Sequence, residues 1–279
     1  MNTLSLLSAW LLAAGAASAQ SPAPPTAPAV PAPAAHPVPV PVPATVAVPA
    51  PVAVPAPVAA PVPPLPPEPG KVYAPGAFDR LELAGAARVV LVQGDRDQAF
   101  IAGDAEAQKE VDVQLRGRQL IIRPNGGWKF WHSSKLFVQV EMRELRSLAV
   151  SGASDVHAPG PLRSDQLRLT ISGAGVARLD QLQAKQMSFV ISGSGDGQLA
   201  GKVDDLSLQI SGKGKVTADK LQAQRARVSV SGIGNVLLWV TDDLAAHISG
   251  VGSVDYFGSP NVQRSVSGMG SISAKGDKR

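Results

Sequence analysis

Few side chains in this sequence stand where they could do chemistry. His132, His157 and His247 are scattered through the chain. His157 follows Ser154 and Asp155 closely, which supplies the residue types of a nucleophilic triad. Nearness in sequence does not make the hydrogen-bonded relay that a triad requires, so the grouping is read as accidental. Asp155 and Asp196 could serve as paired carboxylates for cleaving a glycosidic bond. At the spacing of stacked strands they would lie roughly 9.6 Å apart, with Val176 between them, which is poor support for that reaction. Cysteine is absent, so disulfides, zinc–thiolate sites and cysteine nucleophiles are excluded. Gly193-x-Gly195 and Gly212-x-Gly214 lack the third glycine of a phosphate-cradling turn, and no cofactor or metal is expected.

The strongest candidate for binding is a loop, Pro124-Asn-Gly-Gly-Trp128-Lys-Phe130-Trp131-His132. Aromatic rings beside a flexible Gly-Gly can stack on sugars or enter a membrane interface. Trp128, Phe130 and Trp131 are therefore the candidate ligand-binding residues, with folding back over the domain as the alternative.

The elements that would hold such a loop are written in a repeat. Ser151-Gly152, Ser172-Gly173, Ser192-Gly193, Ser211-Gly212, Ser231-Gly232, Ser249-Gly250 and Ser267-Gly268 recur at intervals of 21, 20, 19, 20, 18 and 18 residues. A period near twenty marks a solenoid, in which each turn buries its apolar side only by stacking on the next. The residue before each serine is Val150, Ile171, Ile191, Ile210, Val230, Ile248 or Val266, all β-branched and suited to strands. Apolar residues continue at a two-residue period on both sides of each pair. The pairs therefore read as structural corners, with glycine where a Cβ would clash and serine facing outward. Stacked serines would form a hydroxyl ladder roughly 29 Å long at a spacing of about 4.8 Å, bonded within and between rungs as scaffold. Asp196 and Lys215 are expected to pair across rungs as a modest surface contact. Arg264 breaks the apolar column and marks the end of the core, and the charged tail Lys275–Arg279 guards an open edge.

Before the repeats, strands are expected at Phe78–Leu83, Arg88–Val92, Val111–Leu115, Gln119–Arg123 and Leu136–Met142, with one helical turn from Asp104. Residues 70–147 would form an N-terminal β region capping the solenoid of 148–279. Residues 1–19 read as a signal peptide: an apolar run, then Ala17-Ser18-Ala19, with cleavage between Ala19 and Gln20. No transmembrane segment is expected after cleavage. Residues 20–69 hold 20 of the 25 prolines, which excludes helix and sheet and predicts a disordered, polyproline-like linker. The net charge is +4, and setting aside Glu68 leaves +5 after residue 69, with both signs interspersed. That balance reads as a mixed solvated surface and gives no sign of nucleic-acid binding.

From Phe78 to Ile272 the chain resembles the family called the "putative autotransporter-adhesin head GIN domain", a domain of unknown function. The residues carrying the resemblance are Phe78-Asp-Arg-Leu-Glu-Leu, Val89-Val-Leu-Val-Gln-Gly-Asp95, Leu120-Ile-Ile, Leu145-Arg-Ser-Leu-Ala-Val-Ser-Gly and the recurring Ile-Ser-Gly-x-Gly. The resemblance implies an all-β, right-handed parallel β-helix, here of about seven rungs, on an exported protein. It brings no catalytic residues. The expected function is a non-enzymatic, adhesin-like binding head on a proline-rich stalk, periplasmic or at the cell surface. Its partner would be an envelope polysaccharide or another surface partner. A β-helical polysaccharide-active enzyme and a structural envelope spacer are the alternatives.

Overall fold

A two-residue apolar period forces extended chain, because only a strand sends successive side chains to opposite sides. The computed structural model describes residues 70–103, 111–125 and 136–278, and every regular element among them is a strand. All of them fall in the unit Pro55–Arg279. The signal segment with its Ala19–Gln20 bond, the proline-rich segment, the turn from Asp104 and the Trp128–Trp131 loop lie outside the described residues. The strands are β1 (Gly70–Tyr73), β2 (Arg80–Leu83), β3 (Ala87–Gln93), β4 (Gln98–Ala102), β5 (Val111–Arg116), β6 (Gln119–Pro124), β7 (Leu136–Met142) and β8 (Ser147–Val150). They continue as β9 (Asp155–Ile171), β10 (Ala174–Ile191), β11 (Ser194–Ile210), β12 (Lys213–Val230), β13 (Ile233–Ile248), β14 (Val251–Phe257), β15 (Asn261–Val266) and β16 (Met269–Ala274).

From β9 to β14 each strand pairs in parallel with the next, so the chain coils as a β-solenoid. Seven Ser-Gly corners bound six turns, one fewer than the seven rungs expected, because the last corner is followed by the single strand β16. Each long strand serves two faces. The first half of β13 pairs with β14 and its second half with β15. Likewise β9 takes β3 on its first half and β8 on its second. The halves oppose one another across the core: a Cβ on Gly197, in the first half of β11, would overlap the Phe189 ring from the second half of β10. Phe189 is the bulkiest side chain in its column, and the glycine opposite makes room for it.

The Ser-Gly corner is held by backbone. The amide of Ser211 donates to the Ile191 carbonyl at 2.8 Å, and that of Lys213 donates to the Gly193 carbonyl at 2.9 Å. The same pair of bonds recurs from rung to rung, as from Ser231 to Ile210 and from Ile233 to Gly212. A Cβ on Gly212 would overlap the carbonyl oxygen of Gly193 below it. At Gly214 a Cβ would sit 2.5 Å from the Gly195 carbonyl and 3.1 Å from Cδ1 of Ile191. The first glycine thus admits the neighbouring backbone, and the second clears both backbone and core. The serine hydroxyls do less than expected. Ser151 Oγ donates to the Leu83 carbonyl at 3.2 Å, but at the later corners it is the serine amides that bridge the rungs.

The opposite bend is irregular. Register shifts fall there between Leu179 and Gln181, between Gln198 and Ala200, and between Ala218 and Gln222. The unequal repeat lengths are absorbed at these bulges.

The region before the repeats caps the solenoid and continues its parallel pairing. β2 pairs in parallel with β6 and β8, and β3 with β7 and β9. Antiparallel pairing is confined to β1, β4 and β5, which close this end. Phe78, Leu81, Leu120, Val138, Leu145 and Leu148 join the same core as Leu169, Phe189, Leu208 and Val228. At the other end Arg264 is exposed, and the tail folds back. The Lys275 amide donates to the Tyr256 carbonyl at 2.7 Å. The Lys278 ammonium donates to the Asp219 carbonyl and lies 5.4 Å from the ring centres of Trp239 and Phe257.

Candidate functional site

The outward side chains of the second face stand in rows, because parallel in-register pairing puts equivalent residues one above another. Four residues before each Ser-Gly serine stand Ser147, Arg168, Ser188, Ser207, Arg227, Ala245 and Gln263. Register confirms the row: Arg168 opposes Ser147 and Ser188, and Arg227 opposes Ser207 and Ala245. Arg80 and Gln119 extend it through β2 and β6. Two residues earlier runs a second row of Gln166, Gln186, Asp205, Arg225, Asp243 and Asn261.

Between and along these rows lies an open groove of about 1060 Å³, running with the stacking axis from Arg80 and Arg146 to Asn261 and Gln263. Leu167, Met187, Leu206, Ala226 and Leu244 contribute to its lining. A smaller groove of about 480 Å³ follows the Ser-Gly-x-Gly corners, with Gly175, Gly195, Gly214 and Gly234 among its lining residues.

Charge along the large groove is partly neutralised within the protein. Arg225 donates from Nε and Nη2 to the two oxygens of Asp205 at 2.7 and 2.8 Å. Those hydrogen bonds hold the Asp205 carboxyl below the ordinary carboxylate range, and Arg227 adds a smaller attraction. They raise the Arg225 guanidinium in turn. Arg146 Nε pairs with Glu144 at 2.7 Å, which raises it likewise. At the cap end Asp79 is buried; Arg118 donates to its Oδ2 at 2.8 Å, and Arg80 and Arg146 stand 3.8 Å away.

The residues suspected of chemistry are not brought together. Ser154 is buried, its Oγ donating to the Gly85 carbonyl at 2.8 Å and accepting from the Ala87 amide at 3.2 Å. His157 Nε2 faces Asp180 Oδ2 at 2.8 Å, and Asp155 stands in register with Arg88. Val176 separates Asp155 from Asp196 in the register. Asp196 Oδ1 does reach the next rung, but it accepts from the Lys215 backbone amide at 2.9 Å rather than pairing with the ammonium. Among the described residues, no group of three or more His, Asp or Glu side chains is placed to hold a metal ion.

The sequence pattern of the family described as "Putative auto-transporter adhesin, head GIN domain" matches residues 77–260. The chain belongs to this family. The head GIN match begins just before β2 and includes most of the groove. Solved structures share the fold. A "putative adhesin" from Bacteroides fragilis superposes with a TM-score of 0.70 at 22% identity, over 74% of this chain and 95% of that one. A "putative lipid binding protein" from Parabacteroides distasonis gives 0.60 at 20%, over 74% and 96%. A "putative adhesin" from the same species gives 0.60 at 19%, again over 74% and 96%. No curated protein matches the chain. The groove rows escape a reading based on residue type, because arginine, serine and glutamine alternate in them. The signal that finds the row of Arg168 and Arg227 is the fixed offset from each Ser-Gly pair combined with side-chain donors at every position but Ala245; the second row mixes donors with the acceptors Asp205 and Asp243.

Proposed function

We propose that this head GIN domain is a non-enzymatic, adhesin-like binding module of the cell envelope, and that the axial groove is its binding face. The observation carrying this reading is the groove's direction. It crosses successive rungs along the stacking axis and offers polar side chains at each from Gln166 to Gln263. An extended polymer fits such a site better than a compact metabolite does, since small-molecule sites are enclosed and largely apolar. The family description and the fold shared with structures called adhesins agree with it. Export follows from the apolar leader and the Ala17-Ser18-Ala19 motif.

The groove also supplies the best test of the enzymatic alternative. Asp205 and Asp243 flank Arg225 in register, two rungs apart, about 9.6 Å by strand spacing. Inverting glycosidases place two carboxyls at comparable separations, but one must be an acid with a raised pKa. Arg225 shifts Asp205 the other way, which leaves only Asp243, in register with the same guanidinium, for that role. The experiment is a glycan and envelope-polymer array probed with the full chain, followed by the Gln186→Ala/Ser207→Ala variant. Retention of a polymer, weakened in the variant and without cleavage products, is the expected result. Cleavage of the polymer would move the protein to the enzymes, and failure to retain any polymer would remove the binding role. Trp128→Ala/Trp131→Ala in the same array separates the aromatic loop from the groove.

A further inference from the structure

We infer that the groove takes a linear anionic polysaccharide, laid along the stacking axis with its acidic groups on Arg168 and Arg227. The inference rests on the binding role proposed above and names its ligand class. Five arginines and two aspartates line the groove, and lysine is absent from its lining. Two of the arginines are committed, Arg225 to Asp205 and Arg146 to Glu144, and Arg80 stands beside Asp79. Arg168 and Arg227 are exposed, and among the described residues neither forms an ion pair. An arginine fork suits carboxylates and sulfates, which it can meet through two parallel hydrogen bonds.

The row holding these two arginines contains no carboxylate. Of its members from Gln119 through Arg80, Ser147, Arg168, Ser188, Ser207, Arg227 and Ala245 to Gln263, only Ala245 lacks a side-chain donor. Arg168 and Arg227 are three rung steps apart, about 14 Å, with the Ser188 and Ser207 hydroxyls between them. A single acidic sugar cannot reach both. A chain of them can, with hydroxyl or ring oxygens accepting from the serines on the way. The second guanidinium then binds at high effective concentration, so affinity must grow with chain length until both are spanned.

The test uses the full chain and oligogalacturonates of increasing length, with calorimetric titration at low and raised salt. Expected are no measurable binding of the monomer, binding that strengthens with length to a plateau, and weakening by salt. Arg168→Gln/Arg227→Gln should lower the affinity for the long oligomer at least ten-fold, and R227E should do at least as much alone. Arg178→Gln on the opposite face should leave it unchanged. Both groove arginines are exposed, so thermal melts of the variants should match the parent and separate lost binding from lost folding. Undiminished binding by the double variant overturns the inference. So does equal binding of the methyl-esterified, neutral polymer, although the broader binding role would survive that result. Tighter binding of duplex DNA or of phosphatidylglycerol vesicles than of the oligouronate overturns the choice of polysaccharide. If neither charged nor neutral polymers bind, the binding role fails with it.

Discussion

Each turn of the solenoid reverses direction twice, and its two corners are built on different physics. At the Ser-Gly corner the backbones of adjacent rungs touch, the register is unbroken from β9 to β13, and a Cβ at Gly212 would overlap the carbonyl of Gly193. At the opposite bend the register slips and close approach is irregular: a Cβ at Gly201 would overlap the Leu182 carbonyl, whereas one at Gly160 would meet nothing within 4 Å. One corner fixes the stacking. The other absorbs differences in length, which is where bulges are tolerated in a ladder. A solenoid can therefore be strict in stacking and loose in repeat length at once.

The sharpest way to break this contrast is to make the same substitution at both corners. Gly212→Ala should cost about 3 kcal/mol, the upper end of overpacking costs, because the atom in the way is backbone and cannot rotate aside. Gly160→Ala should be neutral or stabilise by about 0.4–1 kcal/mol, through the reduced freedom of the unfolded chain. Urea unfolding of both variants gives the comparison directly, and equal losses would refute the division of labour. Next in size, Gly197→Val should cost about 1–3 kcal/mol by forcing aside the Phe189 ring. Adding Phe189→Leu should recover part of that loss, whereas two independent sites would simply add their costs.

The ends give smaller effects. Lys278→Ala removes a cation held against two aromatic rings and should cost about 0.5–1 kcal/mol. Amide exchange should then quicken in β14 and β16 while β10 stays protected. The smallest effect is a titration. Asp205 has its folded pKa lowered by Arg225, so its contribution is present above the unfolded value and is lost as pH falls through the folded one. Carboxyl NMR should place the Asp205 midpoint below that of an isolated aspartate, and Arg225→Gln should move it upward. The pair is exposed, so acid unfolding should shift little.

What could be read from the sequence follows the same contrast. The corners were legible because close backbone approach admits only glycine, and the core columns were legible because burial selects apolar residues. β7 emerged with the boundaries expected, and the hairpin of β5 and β6 turns through Gly117 at φ 60°. The short strands β1 and β4 escaped notice. They owe their place to antiparallel pairing with each other and with β7, which no local pattern announces. The groove escaped for a chemical reason: several residue types can donate a hydrogen bond, so a row of donors need not repeat one letter. The hydroxyl ladder misled in the opposite sense. Serine repeats faithfully, yet rung-to-rung cohesion comes mostly from its amide.

Because the corner register is unbroken, the number of repeats acts as a length dial. Each added or deleted turn moves the far end of the donor row by one strand spacing, about 4.8 Å, and leaves every other corner's chemistry as it was. Tandem duplication of one turn would then lengthen the donor row by one position, with no new side chain to invent.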